Sequence, residues 1–362
     1  EQRKIDNWIA GAQKPPVQGK YQTVKPVLEG ALPFELAQSG TMDVVEALKS
    51  ANQAYKTWGG RTLSKRKEII SQAKSLLLSE IEVFRTLVQE DYACPPEKVA
   101  RFEQQLSWLF DFWLTQSGPQ LKTVSGANSL QFQTLSSWGV TALILPISSV
   151  IQNLLERLLP ALLFGNVVVV KPTIRNARLT LWIAQKFQQA GLVDGALNVL
   201  MAEGEEVSEH LCGHPGVSLL VFSGRLSVAE KIRANPMVQS KRTHFLCGGR
   251  NSCVIFADAD LESAAQNIAQ KVAFHRFDTS LKPSRFFVHE SIFQKFFQLL
   301  DHNLSLPENL GQQDLYLKSI DREKYQAIIN QINNETKRSQ KPDAKTHFSN
   351  GLFFSEILSS CS

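Results

Sequence analysis

Two rhythms of apolar residues divide this chain. From Met42 to Trp58, and again where Ile69, Ala73, Leu76, Leu77 and Ile81 recur, apolar side chains return at spacings of three and four. Lys65, Lys67, Lys74 and Glu80 fall on the other face, so the pattern predicts amphipathic helices with one buried stripe. A further helix is predicted from Pro95 to Leu114, carrying Trp108 and Trp113. Ahead of these, Ile5 to Lys20 reads as a short, turn-rich strand region. From Ser117 to Ser136 the chain becomes polar and β-compatible, and the runs Leu121 to Val124 and Leu130 to Leu135 predict a hairpin.

The middle of the chain follows the second rhythm. Val140 to Leu145 is a strand and Ile151 to Leu163 a helix. The turn Phe164-Gly165-Asn166 leads into the all-apolar strand Val167 to Val170. A helix from Leu179 to Ala190 ends at Gly191, and Ala196 to Leu200 is a third strand. Glu205 to Cys212 is a helix, Ser218 to Phe222 a fourth strand, and Val254 to Phe256 with Leu261 to Ala273 begins another alternation. Near-continuous apolar strands that alternate with helices predict a parallel sheet covered on both faces. No internal repeat or low-complexity tract appears, and the polar stretch Asn333 to Lys345 reads as a mobile loop.

Composition narrows the function classes. With 43% apolar and 20% charged residues in 362, the chain has enough core for two domains or one large one. The net charge of +5 comes from 39 basic and 34 acidic side chains spread along the sequence, with only short clusters such as Lys65-Arg66-Lys67. No nucleic-acid tract is expected. Five scattered cysteines without a CxxC pair suggest neither a disulfide framework nor a zinc site, and a reducing, cytoplasmic setting is expected. The most apolar stretch, Trp138 to Val170, is interrupted by Pro146, Glu156, Arg157, Pro160 and Asn166, which argues against a membrane span. Because the chain begins at Glu1, trimming or processing is expected there.

Several segments, in order and at matching separations, resemble the aldehyde dehydrogenase superfamily. They are Pro146-Ile-Ser-Ser-Val150, Leu159 to Thr173 with its Phe-Gly-Asn-Val-Val-Val-Val-Lys-Pro core, Val221-Phe-Ser-Gly224, Leu246-Cys-Gly-Gly-Arg-Asn251 and Ser284 to Ile292. Gly191 to Val199 and Phe256 to Leu261 are similar to that family as well. The resemblance implies an α/β fold with a Rossmann-like parallel-sheet domain and a second α/β catalytic domain. It places the dinucleotide-binding type of domain at residues 1–116 and 137–245, an oligomerisation hairpin at 117–136 and an incomplete catalytic domain at 246–362. It also implies aldehyde oxidation through a cysteine thiohemiacetal, with NAD or NADP as cofactor.

The resemblance assigns roles to residues whose chemistry does not suit them. The nucleophile position is Ser280, and a serine hydroxyl is essentially un-ionised at neutral pH without an adjacent base. His275 and Asp278 are near in sequence, which leaves a Ser-His arrangement open beside the plainer reading of a polar loop. The general-base position is Leu246, which cannot accept a proton, and losing such a base costs about 10²–10⁴-fold in rate. The neighbouring Cys247 reads as a small buried hydrophobe rather than a relocated nucleophile. The oxyanion position is Ser148, after Ile147, where the family uses an asparagine amide after an aromatic residue. Three altered roles together argue for lost chemistry rather than changed specificity.

For the cofactor, Lys171 matches the family lysine at the adenosine ribose or a 2′-phosphate, but Ile174 stands where a ribose-binding glutamate is usual. Phe222, Gly224 and the start of a helix retain the phosphate-cradling turn. Arg225 replaces a small hydroxyl residue there, and Ala229 replaces a glycine. Pro146, Ile147 and Gly248 complete the positional cofactor set. Weak or absent binding of NAD or NADP is expected. Asn350 to Leu358 resembles a strand well inside the family's catalytic domain, so segments that the family places beyond it are expected to be missing. The reading that results is a catalytically impaired pseudoenzyme with a binding or assembly role, as a homodimer or in a protein complex. The alternative is a divergent NAD(P)-dependent oxidoreductase acting on a small aldehyde or related carbonyl.

Overall fold

The computed structural model describes residues 3–92, 94, 96–118, 122–126, 129–133, 136–146, 150–248, 251–274 and 283–304. They fall into two compact units. The first spans 1–26, 30–91 and 95–247, and the second takes 27–29, 92–94 and the chain from Gly248 onward.

The first unit opens with short strands β1 (Arg3–Ile5), β2 (Asn7–Ile9), β3 (Ala12–Lys14), β4 (Tyr21–Val24) and β5 (Phe34–Ala37). Four helices follow: α1 (Thr41–Gly59), α2 (Leu63–Ser79), α3 (Ile81–Tyr92) and α4 (Pro96–Thr115). A hairpin of β6 (Lys122–Gly126) and β7 (Ser129–Gln133) comes next, paired from Lys122↔Gln133 to Gly126↔Ser129. The alternating region is then β8 (Val140–Ile144), α5 (Val150–Leu163), β9 (Val167–Lys171), α6 (Ala177–Gln189), β10 (Leu197–Val199), α7 (Glu206–Gly213), β11 (Leu219–Gly224), α8 (Leu226–Ala234), the short α9 (Pro236–Gln239) and β12 (Arg242–Cys247).

A seven-stranded sheet runs β12-β11-β8-β9-β10-β2-β3. The five strands from β12 to β10 are mutually parallel, while β2 joins β10 and β3 joins β2 antiparallel. Read in chain order, the parallel part moves outward from β8 to β9 and β10, then returns to the other side of β8 for β11 and β12. That reversal defines a doubly wound sheet. Every residue of β8 and β9 is buried, as expected when helices cover both faces. Helices α1 and α7 pack against each other, while α2, α4, α5 and α6 form a second group, and both groups touch the strands.

Specific polar contacts fix this packing. Trp58 of α1 is wholly buried and donates its indole N–H to the Leu162 carbonyl at 3.0 Å. Arg66 donates Nε to the Leu163 carbonyl at 2.8 Å and Nη1 to the Arg61 carbonyl at 2.7 Å, which satisfies the carboxyl end of α5. Gly165 terminates that helix at φ +87°, and a Cβ there would lie 2.8 Å from Arg66 Nη1. Asn166 then accepts from the Trp138 and Gly139 amides at 2.7 and 3.1 Å, fixing the entrance to β8. Replacing Trp58 with Phe should therefore cost about 1–2 kcal/mol through the lost indole hydrogen bond and the lost ring volume. Urea unfolding followed by far-UV circular dichroism tests this, and an unshifted midpoint would refute it.

The second unit contains β13 (Asn251–Ile255), α10 (Leu261–Phe274), β14 (Pro283–Val288) and α11 (Phe293–Leu304). The two strands pair parallel, with Cys253 opposite Phe286 and Ile255 opposite Val288. Ile255, Leu261, Ala265, Ile268, Phe296 and Leu300 build its core. The loop expected at Asn333 to Lys345 lies outside the described residues.

Candidate functional site

The sheet order determines where a ligand site belongs. In open parallel sheets, ligands bind outside the carboxyl ends of the strands, at the point where strand order reverses. Here that point lies between β8 and β11. The residues that emerge at this edge are Pro146 after β8, Lys171 at the end of β9, Gly224 and Arg225 after β11, and Leu246 and Cys247 at the end of β12. The buried Asn176 donates Nδ2 to the Pro146 carbonyl at 2.9 Å, so the loops after β8 and β9 are tied together. The positional counterparts Ile147, Ser148 and Ser280 lie outside the described residues. Gly248 opens the longest segment of the second unit.

Lys171 is only 8% exposed, and its ammonium has no hydrogen-bond partner among the described residues. Burial pulls its pKa down, opposed by the charges of Cys212 and Glu203. Burial also pushes the Cys212 thiol up to about 12, with the lysines Lys241 and Lys171 acting against the shift. Cys212 is therefore a neutral thiol at neutral pH, and the Glu203 carboxylate acts on Lys171 through its charge. A buried cation with no fixed acceptor, at the carboxyl edge of such a sheet, suits an anionic or polyhydroxylated ligand.

Helix α8 begins two residues after Gly224. Its N-cap Arg225 makes no side-chain cap hydrogen bond, and Arg225, Leu226 and Ser227 are exposed, so the positive end of the helix is open. The Phe222 ring lies against Gly224, where a Cβ would come within 2.7 Å of it, so close approach dictates glycine at this turn. Behind the turn, the buried Ser223 hydroxyl donates to Asn153 Oδ1 of α5 at 3.1 Å. These features fit the phosphates of a dinucleotide. Ile174, in the short turn before α6, offers no acceptor for a ribose diol.

The end of β12 carries two residues on opposite faces. Leu246 lines a cavity of about 430 Å³ together with Thr141, Glu156, Arg157, Val221 and His244. Cys247 faces the charges of Glu230 and Arg233 on α8, and burial pushes its thiol up. A thiol held in its neutral form is a poor nucleophile. On the cavity wall, the Glu156 carboxylate accepts from Gln152 Nε2 at 2.6 Å and lies 3.7 Å from Arg157. Residue-by-residue reading of the sequence missed Glu203, Cys212 and Asn176. The alternation placed Cys212 at the end of a predicted helix, and Glu203 follows the third strand of the series by a few residues.

A model of the aldehyde dehydrogenase family matches residues 14–342. The chain belongs to the aldehyde dehydrogenase family. The D-glyceraldehyde dehydrogenase (NADP(+)) of Picrophilus torridus is 25% identical over 328 residues, which is 87% of this chain and 66% of that relative. Cytosolic aldehyde dehydrogenase 1 of Mus musculus is 27% identical over 344 residues, 89% of this chain and 66% of its own length. This family member thus spans just under two thirds of the length of these relatives. Among solved structures, the aldehyde dehydrogenase KauB from Pseudomonas aeruginosa is 25% identical with a TM-score of 0.78, over 92% of this chain and 69% of its own. Betaine aldehyde dehydrogenase from Staphylococcus aureus, solved with NAD⁺, shares the fold at a TM-score of 0.83 and 19% identity, over 97% of this chain and 74% of its own. The aldehyde dehydrogenase-like α/β fold expected from the sequence is the one found. Among the described residues, no helix is long and apolar enough to cross a membrane, and no cluster of side chains could hold a metal ion.

Proposed function

We propose that this aldehyde dehydrogenase family protein keeps a dinucleotide site of reduced affinity and has lost base-assisted aldehyde oxidation, so that it acts by binding or assembly rather than by turnover. The observation that carries the reading is Leu246, a half-buried leucine at the end of β12. In the family's arrangement this position supplies the proton acceptor. A leucine there can neither activate a nucleophile nor deliver water to an acyl intermediate. The serines at the nucleophile and oxyanion positions, Ser280 and Ser148, point the same way.

On the binding side, Lys171 and the open end of α8 would hold phosphate and adenosine groups, whereas Ile174 contributes nothing to the ribose. A bound nicotinamide cofactor supplies hydride transfer. This chain's own residues would position it at the sheet edge. The β6–β7 hairpin would serve as the contact for a homodimer in a cytoplasmic setting. Titration calorimetry with NAD⁺, NADH and NADPH should give saturable but weak binding, and a panel of aldehydes should yield no reduced cofactor. Aldehyde-dependent turnover that disappears in Ser280→Ala would overturn the proposal.

One feature favours the rival oxidoreductase. Glu156 and His244 line the same cavity as Leu246, and either could serve as a substitute base. Turnover abolished by His244→Gln or Glu156→Gln, but not by Ser280→Ala, would establish that alternative.

A further inference from the structure

We propose that the groove between α3 and α6, walled by β1, binds a small organic carboxylate with an apolar body. It shares no residue with the dinucleotide edge and does not depend on that reading.

Ion pairs frame the groove at both ends. Glu80, the residue between α2 and α3, pairs with Lys186 of α6 at 2.5 Å. At the other end Glu90 and Asp91 of α3 each pair with Arg178 of α6 at 2.6 Å. These bridges set the two helices antiparallel and fix their spacing. Between them, Val83 and Leu87 from α3 face Leu181 and Trp182 from α6 across a cavity of about 490 Å³. Leu87, Leu181 and Trp182 are buried, and Val83 stands at the rim, 39% exposed. The buried Ile5 of β1 extends this apolar floor. β1 is itself held by its parallel pairing with β5, with Arg3 opposite Phe34 and Ile5 opposite Leu36. A preformed, largely apolar cavity of this volume is of the size that takes a small molecule.

The charges along its walls decide which kind. The carboxylates are already matched, Glu90 by Arg178 and Glu82 by Arg85. The two cations of β1 that line the cavity are not. The Arg3 side chain makes no hydrogen bond or ion pair among the described residues. The Lys4 ammonium lies over the Tyr21 ring, 4.7 Å from its centroid, and pairs with no carboxylate among the described residues. An apolar floor beside two uncommitted cations suits a ligand with a carboxylate at one end and a ring or branched chain at the other. Burial of the apolar end supplies affinity, and the guanidinium offers paired donors to the carboxylate. A neutral amide of the same shape forgoes the charge, and an ammonium meets like charge at β1.

The test is fluorine NMR titration of the intact chain with 4-fluorobenzoate, 4-fluorobenzamide and 4-fluorobenzylamine. The benzoate should bind, the amide about tenfold more weakly, and the amine not at all, since two exposed charge contacts together are worth about that factor. The double variant Arg3→Gln, Lys4→Gln should weaken the benzoate by about tenfold and leave the amide unchanged. Val83→Trp, placed at the rim, should fill the groove and abolish binding of both. Arg3, Lys4 and Val83 are exposed, so these variants should keep the wild-type circular dichroism spectrum. Lys65→Gln, which removes the same charge from an exposed position on α2, should leave the benzoate unaffected. No benzoate binding, amide or amine binding as tightly as benzoate, or a benzoate affinity unmoved by the double variant would each overturn the proposal. Benzoate binding undiminished in a folded Val83→Trp chain would place the ligand elsewhere and overturn it too. Should Val83→Trp fail to fold, the double variant decides.

Discussion

Replacing Arg178 with Met should destabilise the first unit by about 3–5 kcal/mol at pH 8, the usual cost of leaving a buried charge without its partner. Arg178 sits in the first turn of α6 and is 7% exposed, and Asp91 at the end of α3 is 2% exposed. The guanidinium donates Nε to both Asp91 oxygens at 3.1 and 3.0 Å and Nη2 to Oδ1 at 2.6 Å. It also donates Nη1 to Glu90 at 2.6 Å and lies over the Phe34 ring, 5.0 Å from its centroid. Methionine fills much of the same volume but supplies none of these donors. All six tryptophans lie in the first unit, so tryptophan fluorescence in urea reports its stability without contribution from the second. A lower midpoint at unchanged slope is expected. Adding Asp91→Leu should recover most of the loss, because both buried charges are then gone.

The pH dependence follows from Asp91. Burial pushes its carboxyl up to about 6, against the hydrogen bonds and charge of Arg178. The folded chain therefore retains this proton at pH values where an unfolded aspartate has released it. Its contribution to stability falls as pH rises from the ordinary carboxylate range through 6. Without the guanidinium the folded pKa climbs further, so protonation partly relieves the variant in mild acid. The deficit of Arg178→Met should be larger at pH 8 than at pH 5. A deficit below about 1 kcal/mol at pH 8, as for a solvated ion pair, would show that the cluster is not a buried unit.

How far the sequence disclosed this arrangement depends on what kind of signal each part gives. The strands β8, β9, β10 and β11 were legible because a strand buried on both faces must be apolar throughout, and Val167 to Val170 can hardly be anything else. β12 was not predicted as a strand. Its first half, Arg242-Thr-His244, is exposed at the sheet edge and carries no apolar alternation. The same holds for β14, where Arg285 and Phe287 face outward. At the site, departures from the family pattern were easier to see than matches to it. A leucine where the resemblance implies a base is visible from one residue, whereas the charge of Glu203, on the loop after β10, acts on Lys171 at the end of β9. The Arg178–Asp91 cluster is likewise invisible to local pattern, because its partners are 87 residues apart.

Lys171 should show function and stability pulling in opposite directions. Changing it to Met should weaken NADH binding by about 10–100-fold, the worth of one charge-assisted hydrogen bond of about 1.5–3 kcal/mol. The same change should raise the stability of the free chain by about 1 kcal/mol, since a buried ammonium without a hydrogen-bond partner among the described residues is replaced by an apolar side chain of similar length. The sign with pH is set by burial, which lowers the folded pKa below the ordinary lysine value. The unfolded chain then holds the proton at pH values where the folded chain has lost it, so wild-type stability rises with pH through that window, while Lys171→Met lacks the rise. Urea midpoints between pH 7 and 10, set beside NADH titrations, measure both effects. A variant that loses stability and binds NADH as before would reduce Lys171 to a packing stem. A variant that gains stability and loses NADH would show that this chain keeps a destabilising charge for the sake of its ligand.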